Sequence, residues 1–402
     1  MRRELWAGVG GLWLAQGAHK VAVLAFSLWV GQELGAAGVG VMAATLAVCW
    51  VAGNVAGMGL PDRAVFDGAA TRRPAVLYGW FLVLGCGATA VLFAQAEWVA
   101  QSADDTLVSF ARGLVLGSGA QALSAVGLSW LRGAARPQAE VWGTVAASVV
   151  LFSGGLFPDD LGWVWATSGV CFLLSAALGS VLLDGIRPAL PIGKGLFFYL
   201  RETWAYWGLG LGAWLVGNAD LLMGRALLPT DEVGHLQVGT MAVRGLGLLP
   251  WVAASLMLKD TRRHWESGVR PRPYAWTLKA GAVGVLVAGI AWLALPFLAR
   301  GHGMTVSAVA PAATASMAIA PIYFALVLLV PLAAQWHLGR TLRALLIGLM
   351  TQVSVLWVVD PLPTDASLVI VMGVGQLVVL MWLNQLLRSA PHERLKVHFG
   401  AP

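Results

Sequence analysis

LWLAQGAHKVAVLAFSLWVGQEL, residues 12–34, decides the fold. The run is long enough to cross a bilayer as a helix, which takes about 20 residues. Its polar members are Gln16, His19 and Lys20 within the run, Ser27, and Gln32 and Glu33 at its far end. A charge near the bilayer centre costs roughly 2.5–3.5 kcal/mol on insertion scales, so Lys20 is expected to face a cavity, a partner or a substrate. It stands too far from either end of the run to snorkel easily.

Working outward, apolar runs recur near residues 12–33, 38–60, 75–96, 106–130, 139–157, 162–183, 203–227, 233–257, 277–299, 305–333, 341–359 and 366–387. They predict an all-α polytopic membrane protein with about twelve transmembrane helices. A membrane barrel would show runs of about ten residues alternating apolar and polar, and residues 76–93 do not alternate. Composition agrees. Hydrophobic residues make up 58% and charged residues 11%, with a mean hydropathy of +0.75, against about 25% charged in soluble domains. The first run reads as a span and not as a cleavable signal, because it carries His19 and Lys20.

The net charge is +6. Its distribution assigns it to a membrane and not to nucleic acid. With the amino terminus placed in the cytoplasm and the runs alternating, 21 of the 26 Lys and Arg fall on the inner side. Lys20, Arg112, Arg225, Arg244 and Arg300 remain. The outer connections hold Glu33, Glu97, Asp104, Asp105, Asp159, Asp160, Asp231, Glu232, Asp360 and Asp365. The positive-inside rule then predicts both termini in the cytoplasm. Cys49, Cys86 and Cys171 lie within spans without metal-ligand spacing, so neither a zinc site nor a disulfide is expected.

The basic connection 184–201 holds Pro188, Pro191, Gly193 and Gly195 and divides the chain into six-helix bundles at 1–190 and 191–402. The halves share a pattern. Leu34, Gly35, Gly38, Val39 and Gly40 precede one span; Pro229, Glu232, Val233 and Gly234 precede another. Val39-Gly40 and Val233-Gly234 are 194 positions apart. Six spans separate them, which makes a parallel repeat with an axis along the membrane normal and a central cavity between the halves.

Buried charge supplies the candidate site. Lys20 is a compact cation suited to a pyrophosphate or a sugar acid, with snorkelling or a carboxylate partner as the alternative. Arg244 is either a second anion ligand or the partner of Asp220. Asp220 stands as the one acid deep in the spans, either a coupling carboxylate or an ion-pair partner. Arg225 approaches the outer face, and Arg112 either lines the cavity or snorkels outward. Trp6, Trp29, Trp98, Trp130, Trp163, Trp204 and Trp276 are expected in the interfacial belt, with Trp50, Trp207, Trp214 and Trp292 deeper. The glycines at 35–40 and 113–119 lack the Gly-Lys-Ser/Thr of a phosphate loop. No Ser-His-Asp arrangement and no His-Glu-x-x-His is present, so no catalytic residue, cofactor or metal is expected.

Three segments resemble the polysaccharide flippases of the O-antigen and exopolysaccharide type, within the multidrug/oligosaccharidyl-lipid/polysaccharide transporter superfamily. The first runs from Leu34-Gly35 and Gly38-Val39-Gly40 to Gly57, Gly59, Leu60 and Arg63. The second is Leu131-Arg132-Gly133 with Arg136; the third is Asp220 and Gly224 with Asp231-Glu232-Val233-Gly234. His235 departs from the aromatic residue often found there. The resemblance implies two bundles opening alternately to either side of a bacterial inner membrane. Its substrate would be a polyprenyl-pyrophosphate-linked oligosaccharide, with H+ or Na+ as a coupling ion and a polysaccharide polymerase as a partner. The chain ends soon after the twelfth run, which makes lipid II a poorer expectation. The rival expectations are a multidrug and toxin extrusion-type exporter, which would prefer an acidic cavity, and a membrane polymerase or glycosyltransferase, which would need larger outer loops.

Overall fold

The computed structural model describes residues 2–57, 59–60, 74–133, 138–183, 195–247, 250, 253–254, 273–359 and 364–388. Among them the regular elements are all helical. In chain order they are α1 (Arg2–Gly57), α2 (Pro74–Ala94), α3 (Ala96–Ala100), α4 (Asp105–Gly133), α5 (Gln138–Phe152), α6 (Leu161–Leu183), α7 (Gly195–Leu227), α8 (Thr230–Leu246), α9 (Pro273–Gly301), α10 (Val306–Val359) and α11 (Asp365–Arg388).

Seven stretches of the described residues are long and apolar enough to cross a membrane: Leu14–Gly57, Gln138–Leu156, Pro158–Gly179, Pro273–Gly301, Val306–Ala334, His337–Val358 and Asp365–Arg388. The protein is a multi-pass membrane protein. Leu14–Gly57, at 44 residues, is twice the length one crossing needs. α2, α4, α7 and α8, with the short α3, fall outside this set, and α7 and α8 carry Asp220, Arg225 and Arg244. Polar residues are tolerated there because these helices meet other protein surfaces instead of lipid alone.

Two long helices each hold a pair of predicted spans. α1 breaks at Gly35, where φ is 65° and ψ −163°. Only glycine takes that geometry without strain, so the chain reverses there without a loop. α10 breaks at His337. α7 breaks at Asn218, where φ is −143°; the Asn218 side-chain amide donates to Trp214 O at 3.1 Å. The Val216 carbonyl just before this break accepts from Gln352 Nε2 (3.1 Å) and Gln376 Nε2 (3.2 Å), tying α7 to α10 and α11.

The helices sort into two groups. α1 packs with α4 and α5, α4 with α2 and α6, and α5 with α6. α7 and α8 pack with α10 and α11, and α9 with α10. The groups meet chiefly where α1 lies along α7 and α8. The expected division at residue 190 falls outside the described residues.

The meeting surface carries the 194-residue repeat. A methyl group on Gly40 would strike the Thr230 carbonyl, and one on Gly234 would strike the Ala36 carbonyl. Ala36 and Thr230 are themselves 194 apart, as are Gly40 and Gly234. A contact of i with j that is repeated as j′ with i′ is the mark of a two-fold axis. Small residues let the backbones approach this closely. Farther along, Trp50 stacks on Trp214 (4.4 Å between centroids, 15° between planes), and Gly59, at φ 75°, packs against the Trp207 backbone. The second arm of α1 thus follows the other group from one end to the other.

Candidate functional site

The first arm of α1 behaves differently. Leu12, Ala15, Ala22, Phe26 and Val30 are buried, and Phe26 packs on Trp165 of α6 in the first group. Lys20, Leu24, Ser27 and Gly31 share another face at the 4-3-4 spacing of a helix stripe. At the acid-rich end this stripe touches the second group: Ser27 Oγ lies 3.1 Å from His302 Nε2, and Gly31 packs on the His302 backbone. Two turns further in, Lys20 is exposed and makes no hydrogen bond or ion pair to a described residue. The stripe therefore leaves the other group between Ser27 and Lys20.

Beside Lys20 a polar ladder ties α1 to α5. Gln16 Nε2 donates to Glu140 Oε1 at 3.2 Å, and Ser148 Oγ lies 3.4 Å from His19 Nδ1. Glu140, Thr144 and Ser148 recur at every fourth position on the buried face of α5. Glu140 is buried in the first turn of its helix, so Asp220 is not alone among buried acids. It stands at the start of the apolar run 139–157, where the sequence assigns it no partner. Its packing against Gln16 supplies one.

Across the interface, Arg244 Nη2 donates to Asp220 Oδ2 in an ion pair within the second group. Asp220 is fully buried, and its Oδ1 accepts from the Leu221 amide at 3.0 Å. The carboxylate is thus satisfied while the guanidinium is not: Arg244 Nε and Nη1 are buried without a hydrogen-bond partner. The remaining candidates lie elsewhere. Arg225 sits at the acid-rich end against the Trp98 ring and carbonyl. Arg112 is exposed, 5.9 Å from the Phe93 ring of its own group. The structure thus sets Lys20 on one group, sets Arg244 with Asp220 on the other, and separates Arg225 and Arg112 from both.

Trp98, Trp163 and Trp204 are exposed, as a belt position requires. Trp292, expected deeper, is exposed on the outer surface of α9. The three cysteines are free.

No protein-family model and no curated protein matches the sequence. Solved structures do share its fold. The eukaryotic MATE transporter AtDTX14 is 12% identical, with 97% of this chain and 96% of that chain covered and a TM-score of 0.64. The lipid II flippase MurJ in an inward closed conformation is 10% identical over 94% and 88% of the two chains, at 0.65. A MOP superfamily transporter from Pyrococcus furiosus, described as having a binding pocket of reversed polarity that suggests a different function, is 14% identical over 96% of each chain, at 0.58. The chain has the all-α membrane fold of these transporters.

Proposed function

We propose that the protein is a flippase that carries a polyprenyl-pyrophosphate-linked oligosaccharide across the inner membrane of a bacterium. The observation that carries this reading is Lys20: a cation within a membrane span, exposed, unpaired with any described residue, and set on the stripe that meets the other group at its far end.

The repeat supplies its counterpart. Adding 194 turns Lys20 into Trp214 and Trp50 into Arg244. The axis that relates Ala36 and Gly40 to Thr230 and Gly234 then maps the Trp50–Trp214 stack onto Lys20 facing Arg244. One edge of the interface is closed by two indoles; the other is bordered by two cations. While Arg244 is held by Asp220 that edge carries the net charge of Lys20 alone; once the pair opens, the two cations repel until an anion comes between them. The free Nε and Nη1 donors of Arg244 suit the oxygens of a pyrophosphate, and Lys20 adds a point charge. Rocking of the groups 1–190 and 191–402 carries the headgroup between sides. The basic ends of the helices face the cytoplasm. Asp220 is then the group that would exchange Arg244 for a coupling ion, H+ or Na+.

The rival reading, an ion-coupled exporter of organic cations, shares the fold equally. It would want an unpaired carboxylate where Lys20 stands, and the charge of Asp220 is neutralised by Arg244. The sign of the lining discriminates the two.

The test uses purified protein in vesicles with a fluorescent polyprenyl-pyrophosphate oligosaccharide. Wild type should move the label beyond an impermeant quencher. Lys20→Ala should slow this by about tenfold or more, since a lost charged hydrogen bond is worth about 1.5–3 kcal/mol. Unchanged transport by Lys20→Ala overturns the reading. Gradient-driven movement of an organic cation without lipid transport would establish the exporter instead.

A further inference from the structure

Three contacts close the interface at the acid-rich end. Gly40 and Gly234 form the middle one. On one flank, Arg225 of α7 reaches Trp98 and Gln101, which follow α2. On the other, Ser27, Leu28 and Gly31 of α1 meet Gly301 and His302, at the end of α9. The flanks are counterparts, because Gly31 and Arg225 are 194 positions apart. Each touches the connection after the third crossing of the opposite group.

Their chemistry differs. The Arg225 guanidinium lies 4.0 Å from the Trp98 ring centroid, its Nη2 donates to Trp98 O at 2.6 Å, and Gln101 Nε2 donates to Arg225 O. Arginine keeps its charge at any physiological pH, so this flank is indifferent to protons. The other flank is a histidine. His302 is fully buried. Its Nδ1 lies 2.7 Å from the Leu298 carbonyl, which only accepts, so Nδ1 carries a hydrogen. In the neutral ring Nε2 then accepts from Ser27 Oγ at 3.1 Å. A proton on Nε2 would reverse that bond and send the Ser27 hydroxyl to Leu24 O, at 2.7 Å.

Every hydrogen bond survives protonation, but the new charge has no counter-ion. No described carboxylate bonds the ring. On α1 the nearest acid, Glu33, is exposed and lies about 200° around the helix from Gly31, two positions at 100° each. The ionisable neighbour on α9, Arg300, is exposed and is itself a cation. Asp231 and Glu232 of α8 and Asp159 and Asp160 ahead of α6 are exposed to water. His235 acts on Asp365 within the second group. Burial pushes the His302 imidazole below its ordinary value, with the Leu298 bond opposing.

We propose that His302 is a proton-operated latch: its protonation unseals the α1 flank of the acid-rich end, while the Arg225 flank stays shut and serves as the hinge. The latch rests on the alternating reading given above. The sign is fixed by burial. The closed state holds the ring neutral, and opening returns it to water and to a pKa near its usual value of about 6.5. The contribution of the latch to closure is complete above that value and is lost as pH falls below it.

Spin labels in lipid vesicles test this in the full chain, with Cys49, Cys86 and Cys171 replaced. Glu33→Cys with Ser307→Cys spans the histidine flank; Ala103→Cys with Leu227→Cys spans the arginine flank. Between pH 8 and pH 5, a long-distance population should grow across the first pair and stay constant across the second. His302→Gln should abolish the growth. Ser27→Ala, which keeps the buried ring, should raise the open fraction at pH 8 and keep the acid response. An acid response equal in His302→Gln and wild type, or lost in Ser27→Ala, overturns the latch and leaves alternation standing. Equal separation across both pairs overturns the hinge. Labels that never separate, at any pH and with or without lipid-linked oligosaccharide, overturn alternation itself.

Discussion

Asp220 and Arg244 show what a single charge does in this interior. The carboxylate is saturated by Arg244 and by the Leu221 amide, and beyond Asp220 the guanidinium donates only weakly, to Met372 Sδ at 4.0 Å. Removing the acid therefore strands a buried cation, which costs about 3–5 kcal/mol. Asp220→Asn should lower the thermal midpoint of the purified protein clearly. Asp220→Leu combined with Arg244→Leu should recover most of that loss, because both the charge and its partner are gone. A double variant as unstable as Asp220→Asn would show that the pair does more than neutralise itself. The pairing of Asp220 with Arg244 was visible in the sequence as one of two alternatives, since both sit in polar interruptions of apolar runs. The role of Glu140 was not, because a residue at the border of a run looks the same whether it meets water or Gln16.

At the scale of the element, the spans were readable because the length of an apolar run is set by bilayer thickness. Two of the joints were readable as well: the break at His337 falls between the runs ending at 333 and beginning at 341, and at the turn expected after Leu34 a φ of 65° explains why glycine stands there. The break at Asn218 was not, because it depends on amides from Gln352 and Gln376, far away in the chain. A sharper demand falls on Gly40, where any side chain would meet the Thr230 carbonyl. Gly40→Val should hold the acid-rich end apart without unfolding either group. Cysteines placed across that end should then cross-link poorly, while the melting temperature changes by only a few degrees. Normal cross-linking in Gly40→Val would show that the seam bears little of the closure.

For the whole molecule, the repeat was legible as a shared Val-Gly and a spacing of 194. That the two glycines pack against one another's turns was not, because a repeat in sequence does not say which surfaces meet. Self-complementary contacts do not require a covalent link between the partners. Residues 1–190 and 191–402, made as two separate polypeptides in one membrane, should co-purify. Gly234→Val should weaken that association, and independent behaviour of the two pieces would rule out a seam strong enough to join them.

The same two-fold relation limits what a pair of identical subunits can do. In a homodimer, every substitution appears on both edges at once: two lysines bring two more, and an aromatic closure on one side forces the same closure on the other. Here position 20 is lysine where position 214 is tryptophan, and position 50 is tryptophan where position 244 is arginine. Divergence of duplicated copies removes that limit, and in this chain it leaves one edge aromatic and the other cationic.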